Sequence, residues 1–213
     1  MLGAMDPTGP LSREQQRSET RTALLESARR VFADHGYHQA NLAAIAREAG
    51  YSKGAVYSNF ANKAELFLAV MDLDLAKFDQ VDAWDPFSPD GIITHDHEER
   101  AAGDEGFSLA TLEFIATAAR DPELGEQLAE RVHQLLDRYM QTAQQAQDPD
   151  DQLAQNELAA LLGALDQGIG LLAIAGVNSI DATLMREGLR RLTNPVRAAN
   201  VVTPARDAAS GTG

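Results

Sequence analysis

The stretch "NLAAIAREAGYSKGAVYSNF" (residues 41–60) decides how the chain begins to fold. Two short helical segments flank Gly50, which lies where a tight turn needs a positive φ angle. Ala46, in the middle of the first segment, is small enough to let the second helix cross closely. Val56, in the second, can seal a small apolar core. This spacing predicts a helix-turn-helix unit.

The second helix of this unit carries residues typical of a DNA contact. It contains no acidic residue, and its start would present four residues to the major groove: Ser52, Lys53, Gly54 and Ala55. Further donors could reach phosphate oxygens, namely Tyr57, Ser58, Asn59 and Lys63. The helix dipole and backbone N–H groups also favour phosphate there. Lys53 has the clearest option for reading a base, through guanine O6 and N7. The alternative is a small packing unit with solvated polar residues, but the absence of acid favours DNA.

The charge of the chain is unevenly distributed. The formal net charge is −14, yet residues 1–66 carry eight Lys or Arg and seven Asp or Glu, a net of +1. Residues 67–213 therefore carry a net of −15. A polyanion could approach the first part and would be repelled by the second. The two parts are thus expected to face different partners.

Apolar residues recur every three or four positions and sustained strand alternation is absent, which predicts an all-α fold. The first helix is expected over residues 19–35 and a long helix over 151–177. We expect four regions: a tag remnant and flexible N-terminal arm (1–17), a three-helix DNA-binding domain with the helix-turn-helix (18–62), a larger helical effector-binding and dimerisation domain (63–193) and a disordered tail (194–213).

Composition narrows the class of protein. The chain has no cysteine, which excludes disulfides and thiolate metal sites. No apolar run reaches the roughly 18 residues of a membrane span, and no signal-peptide pattern opens the chain, so we expect a cytoplasmic protein. Residues 82–106 are rich in proline, glycine and acid, and their structure and role are left open.

The string "RTALLESARRVFADHGYHQANLAAIAREAGYSKGAVYSNFANKAELF" (residues 21–67) resembles the N-terminal domain of TetR-family transcriptional regulators. The matching residues are Phe32, Gly36, Tyr37, Ile45, Ala46, Ala49, Gly50, Ser52, Gly54, Tyr57, Phe60, Lys63, Glu65 and Leu66. The family usually has Thr where this chain has Asn41, and a small aliphatic residue where it has Tyr51. Asn caps a helix as well as Thr does, so neither departure weakens the resemblance.

The resemblance implies a homodimeric repressor that a small molecule releases from a palindromic DNA operator. It further implies that Asn41, Tyr57 and Lys63 hold phosphates, while Ser52, Lys53 and Ala55 lie nearest the bases. Arg13, Arg17 and Arg21 could add phosphate contacts or form an ordinary solvated face.

The rest of the chain matches the family more loosely. The resemblance implies a dimer interface on the last two helices, with candidates Ala160, Gly163, Gln167, Gly170, Ile174, Leu184 and Leu189. An inducer pocket between helices would draw on Trp84, Phe107, Thr111, Glu113, Phe114, Thr117 and Tyr139. Glu113 is a carboxylate on a nearly apolar helix, so it needs a ligand cation or a partner. We favour a partner such as Arg131 or Arg138.

The segment "THDHEER" (residues 94–100) groups His95, Asp96, His97 and Glu98. Such residues can bind a metal, but consecutive ligands point in different directions, so an acidic solvated loop is the default and no metal or cofactor is expected. A metal-binding protein or enzyme using this loop is the alternative to a DNA-binding regulator. A helical interaction module that has lost DNA binding is another. No nucleophile–base pair or phosphate loop supports an enzyme.

Overall fold

The structure is a computed structural model that describes residues 12–78, 98–146, 153–177, 180 and 182–193. In these ranges every regular element is an α-helix, as expected from the apolar spacing. The helices are α1 (Arg13–Gln39), α2 (Leu42–Glu48), α3 (Lys53–Asn59), α4 (Lys63–Phe78), α5 (Glu98–Ala118), α6 (Pro122–Ala146), α7 (Gln155–Ile174) and α8 (Ala182–Thr193). The expected tail from residue 194 onward and most of residues 82–106 lie outside the described ranges.

The first helix begins earlier than predicted. It starts at Arg13 rather than near residue 19, so it overlaps the end of the predicted N-terminal arm (1–17). Ser12 and Gln15 form a capping box, in which the Gln15 N–H donates to Ser12 Oγ at 3.2 Å and the Ser12 N–H donates to Gln15 Oε1 at 2.8 Å. Two backbone donors are thereby satisfied, which stabilises the start of the helix.

The three helices that follow also begin with side-chain caps, and the cap expected at Asn41 is confirmed. The N–H of Ala43 donates to Asn41 Oδ1 at 2.8 Å, and the N–H of Ala55 donates to Ser52 Oγ at 3.3 Å. The N–H of Glu65 donates to Asn62 Oδ1 at 2.8 Å. Each cap satisfies a donor that the first helical turn leaves unpaired, which contributes about 1 kcal/mol.

The described residues pack as two compact units. The first combines residues 12–77 with 98–128, and the second contains the described residues from 129 onward. In the first unit α5 packs along α1, and Gly106 permits the close approach because a Cβ there would collide with the carbonyl oxygen of Ala33. The predicted boundary after residue 62, between the DNA-binding and the effector-binding domain, does not coincide with the division into these two units. As a boundary between functions it stays a prediction.

The core of the first unit is aromatic. Phe32, Phe67 and Phe114 are fully buried, and the rings of Phe67 and Phe114 stack with centroids 4.6 Å apart. Phe107 also stacks on Phe67, at 5.3 Å between centroids. Ring pairs of this kind add to the free energy gained by burying apolar area. These ring contacts hold α1, α4 and α5 together.

The second unit has its own smaller core on α6, α7 and α8. Its buried residues are Tyr139, Ala143, Leu158, Ala159, Leu162, Met185 and Leu189. Tyr139 donates a hydrogen bond of 2.6 Å from its hydroxyl to Asp166 Oδ2. Burial and the neighbouring Asp166 carboxylate raise the pKa of Tyr139 well above its ordinary value.

Candidate DNA-binding surface

Helices α2 and α3 form the predicted helix-turn-helix. Gly50 has a φ of 78°, and the N–H of Tyr51 closes the turn by donating to the carbonyl of Ala46 at 2.8 Å. Ala46 and Val56 are buried, as the spacing predicted. Ser27 of α1 also donates from its buried hydroxyl to the carbonyl of Ile45 at 3.1 Å, a contact for which the sequence carried no signal. This hydrogen bond therefore links α2 of the helix-turn-helix to α1.

The exposed side of α3 carries a lysine and a tyrosine that face solvent together. The Lys53 ammonium lies 5.6 Å from the centroid of the Tyr57 ring, and Tyr57 is 51% exposed. The first turn of α3 contains no acidic residue, and in the described part of the chain Lys53 has no ion pair. The positive charge and the phenol hydroxyl are thus both available to an external anion.

Asn41 and Gly54 flank this pair. The Oδ1 of Asn41 caps α2, which leaves its amide N–H₂ without a partner among the described residues. Gly54 is exposed, and a Cβ added there would meet only Ser52 Oγ, at an ordinary 3.6 Å. Packing inside the protein therefore does not require a glycine at this position.

Two residues predicted to donate to phosphate donate within α3 instead. The Ser58 hydroxyl donates to the carbonyl of Ala55 at 2.9 Å, and the Asn59 amide donates to the same carbonyl at 2.8 Å. In the free protein these donors are used inside the helix, because short polar side chains readily return to their own backbone. The contact of Ser58 and Asn59 with phosphate stays a prediction.

Lys63 was also predicted to hold a phosphate, which stays a prediction; in the free protein it binds backbone carbonyls. Its ammonium donates to the carbonyls of Tyr37 at 2.8 Å, His38 at 2.9 Å and Ala40 at 3.3 Å. An ammonium has three protons, so all its donors are used within the protein. Burial lowers the pKa of Lys63, and the Glu113 carboxylate opposes this shift.

Glu113 binds the same segment of chain. Its Oε2 accepts a hydrogen bond of 2.9 Å from the backbone N–H of His38. The expectation that Glu113 pairs with Arg131 or Arg138 is therefore wrong. The partner is a backbone donor 75 residues away, and the spacing of residues in the sequence gives no signal for such a contact. Glu113 therefore satisfies the end of α1 rather than pairing with an arginine of α6.

Arg21 contacts the C-terminal end of α3. It donates to the carbonyl of Asn59 at 3.0 Å, and its guanidinium lies 4.3 Å from the centroid of the Phe60 ring. A cation at a helix C-terminus is favourable because the last carbonyls lack intrahelical partners. Arg21 thus fixes the end of α3 in the free protein.

Comparison with known proteins identifies the architecture. A family model described as "Bacterial regulatory proteins, tetR family" matches residues 24–70. The HTH-type transcriptional repressor AcnR of Corynebacterium diphtheriae is 30% identical over 136 residues, which cover 63% of this chain and 69% of that protein. The chain belongs to the TetR family of bacterial regulatory proteins. It is a TetR-family helix-turn-helix transcriptional regulator.

Two further comparisons agree. An HTH-type transcriptional repressor of Mycobacterium tuberculosis is 32% identical over 127 residues, which cover 59% of this chain and 65% of that protein. The chain thus matches about two thirds of the length of these relatives. The fold of GusR from Salmonella enterica superposes with a TM-score of 0.60 at 22% identity, over 87% of this chain and 99% of GusR. That likeness shows the TetR-family fold beyond the N-terminal helices.

The ligand-pocket candidates of this TetR-family chain lie in separate places. Phe107 and Phe114 are in the aromatic core of the first unit, whereas Tyr139 is in the core of the second. Thr111 and Thr117 donate to carbonyls of their own helix, at 2.9 Å each. Trp84 lies outside the described residues, as do His95, Asp96 and His97 of the acidic loop. Ligand binding by these residues stays a prediction.

The dimer-interface candidates of the regulator divide into two groups. Gly163 and Leu189 are buried within the subunit, so they cannot face a partner. A Cβ on Gly163 would lie 2.8 Å from Leu136 Cδ2, which shows that this glycine serves close packing of α7 on α6. Others are exposed or half-buried: Ala160, Gln167, Gly170, Ile174 and Leu184. Leu161, Leu171 and Leu172 were not among the candidates, yet they are exposed on α7.

Proposed function

We propose that the regulator is a repressor that binds a palindromic operator as a homodimer and leaves it when a small molecule binds. The observation that carries the proposal is the acid-free surface of α3, on which Lys53 and Tyr57 face solvent side by side. Repression, rather than activation, is supported by the two curated relatives described above, both named repressors.

The exposed donors suggest how the surface would meet DNA. Lys53 would reach guanine O6 and N7 in the major groove, while Tyr57 and the free amide of Asn41 would donate to phosphates. Gly54 would let the backbone of α3 come close to the DNA, since no side chain intervenes there. With so few base-reading groups, half-site spacing and DNA shape would supply part of the specificity.

A second copy of the chain is the proposed occupant of the exposed face of α7. Contrary to the expectation that no apolar run is long enough for a membrane span, this helix is long and apolar enough by length and composition alone. Its most apolar window of 18 residues has a mean hydropathy of 1.5, and only 22% of that window is buried. Its inner face packs in the core of the second unit through Leu158 and Leu162. The outer face carries Leu171, which is 50% exposed, and α8 carries Leu184, which is 54% exposed. Burying both in a helical bundle would remove this apolar area from water.

We accordingly interpret α7 as a dimerisation helix of a cytoplasmic protein rather than a membrane span. Neither Gly168 nor Gly170 has any atom within 4 Å of a Cβ built on it, so a partner helix has room to approach there. Each glycine inside a helix lowers the stability of the helix by about 1 kcal/mol relative to alanine, and close contact with a partner helix would offset that cost.

Release by a ligand is a separable part of the proposal. A small molecule that binds more tightly to dimers whose two DNA-binding units are wrongly spaced for the operator would draw the protein off DNA. Titration of candidate ligands into the protein–operator complex tests this. If saturating ligand never weakens the complex, the release step is refuted and DNA binding survives.

A mobility-shift experiment tests the core of the proposal. Duplexes from the region upstream of the regulator's own gene and its neighbours are incubated with the purified protein at low salt. We expect a specific complex that is lost with Lys53→Ala and with Tyr57→Ala. If no duplex of operator length is bound, or if both variants bind as the wild type does, the proposed function is wrong.

A further inference from the structure

Two oppositely charged side chains hold one short segment of backbone, residues 36–40, at the end of α1. The ammonium of Lys63, from α4, binds the carbonyls of Tyr37, His38 and Ala40. The carboxylate of Glu113, from α5, binds the N–H of His38. Carbonyls and amide of the same segment are thus fixed from two other helices. Charge-assisted bonds of this kind are about twice as strong as neutral ones.

The conformation of Gly36 is matched to this arrangement. Its φ of 71° and ψ of 172° interrupt the regular helix and lie in a region that is almost exclusive to glycine. A Cβ at this position would lie only 2.5 Å from Oε1 of Glu113 and 2.9 Å from Oε2. The carboxylate therefore occupies the space that the missing side chain leaves open.

Tyr37 adds a rigid contact between the same segment and α5. Its ring centroid lies 5.0 Å from that of Phe114, the residue that follows Glu113, and 5.2 Å from that of Phe67. Phe114 and Phe67 are fully buried. A displacement of α5 along α1 would consequently move the segment rather than slide past it.

We propose that Glu113 is a positioning residue for operator binding, which acts together with Lys63 by fixing residues 36–40. The inference rests on the proposed function, because the segment leads directly into Asn41. Asn41 caps α2 and carries one of the proposed phosphate donors. When Glu113 is in place, the start of α2 is held at one distance from α5. A change in α5 would reach the DNA-binding surface through this contact.

The sign of the effect separates positioning from simple electrostatics. If Glu113 acted only as a negative charge near DNA, removing it would strengthen binding. A positioning role predicts the opposite, namely that binding weakens by about fivefold or more when Glu113→Ala removes the acceptor. Glu113→Gln, which keeps the shape and one acceptor oxygen, should fall between the wild type and Glu113→Ala. The matched control is Glu105→Ala, which removes an exposed carboxylate from the same helix and should not weaken binding.

Lys63 supplies a second, independent readout. The logarithm of the binding constant falls linearly with the logarithm of salt concentration, with a slope of about 0.9 per neutralised phosphate. Lys63→Met keeps the side-chain stem and removes the ammonium. If Lys63 holds the segment, the variant should bind more weakly with an unchanged slope. A slope smaller by about 0.9 would instead make Lys63 a phosphate contact and overturn its part of the proposal.

The experiment measures equilibrium binding to one operator duplex over a salt series, with full-length proteins. The proteins are the wild type, Glu113→Ala, Glu113→Gln, Lys63→Met, the double variant Glu113→Ala/Lys63→Met and the control Glu105→Ala. Because both side chains act on one segment, the double variant should lose less than the product of the single losses. Helicity and amide exchange of His38 are measured alongside. Folded variants with a faster-exchanging His38 amide and weaker binding support the proposal.

Unchanged or stronger binding of folded Glu113→Ala, or additive losses in the double variant, would overturn the proposal. If instead the wild type binds no duplex, the proposed function itself fails. The two failures are therefore distinguishable within the same set of measurements.

Discussion

At the scale of single residues, the polar side chains around α3 divide into two groups. Lys53 and Tyr57 face solvent and have no acidic partner in the described ranges. Asn59 and Lys63, which look equally suited to DNA, use their donors on backbone carbonyls of the protein. What separates the groups is whether a backbone carbonyl lies within reach of the side-chain donor.

Gly54 offers a prediction in which stability and binding change in opposite directions. Gly54→Ala should raise the free energy of unfolding by about 0.5–1 kcal/mol, because Ala is the better helix former and the added Cβ meets only an ordinary contact. The same Cβ should weaken operator binding by keeping the backbone of α3 away from DNA. Urea unfolding and a binding titration on the same preparation check both. Equal or tighter binding by the variant would show that α3 does not approach DNA through Gly54.

Gly36 offers a second prediction, which isolates its contact with Glu113. Gly36→Ala should lower the free energy of unfolding. Backbone strain alone costs about 1–3 kcal/mol, and collision of the new Cβ with the Glu113 carboxylate adds to that cost. In a Glu113→Ala background the collision is absent, so the same substitution should cost less. A double-mutant cycle by urea unfolding measures the difference. Gly50→Ala serves as control, because φ is also positive there but no atom lies within 4 Å of a Cβ built on it. Its cost should not depend on Glu113.

At the scale of helices, the signals that could be read from sequence are local ones. The cap at Asn41 and the turn at Gly50 depend on residues within a few positions, and they form as predicted. The partners of Lys63 and Glu113 lie 23 to 26 and 75 residues away, respectively, so spacing along the chain could not reveal them. The capping box at Ser12 is also local, although it lies in the region predicted as a tag remnant and flexible arm (1–17).

The hydrogen bond between α6 and α7 gives a prediction about pH. The pKa of Tyr139 is raised, so the folded state keeps its proton at a pH where the unfolded chain loses it. The stability it contributes is therefore complete below pH 10, its ordinary pKa, and is lost as pH rises further. Tyr139→Phe should cost about 1–2 kcal/mol below pH 10 and progressively less above it. Urea unfolding of both proteins on either side of pH 10 tests this, and a difference that is independent of pH would contradict it.

At the scale of the whole molecule, charge and apolar area are distributed between different surfaces. The net charge of residues 67–213 is −15, against +1 for residues 1–66. Such a distribution would limit non-specific binding to DNA through the acidic part. The exposed apolar face of α7 belongs to the acidic part, which fits a division between DNA binding and association of subunits.

That division predicts the effect of one charge on assembly. Leu171→Glu places a carboxylate in the centre of the proposed interface and should convert the dimer to monomer at micromolar concentration, since an unpaired buried charge is costly. The mass in solution, from light scattering or sedimentation, measures it. Val132→Glu, on α6, changes a residue of similar exposure outside the interface and should leave the mass unchanged. A wild type that is monomeric, or a Leu171→Glu variant that stays dimeric, would refute the assignment of this face.

The most direct test of the central claim, that the exposed surface of α3 binds DNA, is the salt dependence of operator binding by wild type and Lys53→Ala. The account predicts that the wild-type binding constant falls steeply with salt, and that Lys53→Ala binds more weakly across the salt series, because the cation that would contact guanine is lost. Arg30→Ala is the control, because Arg30 is already paired with Glu48 at 2.7 Å and should change the slope little. Identical affinity and slope for wild type and Lys53→Ala would contradict the account.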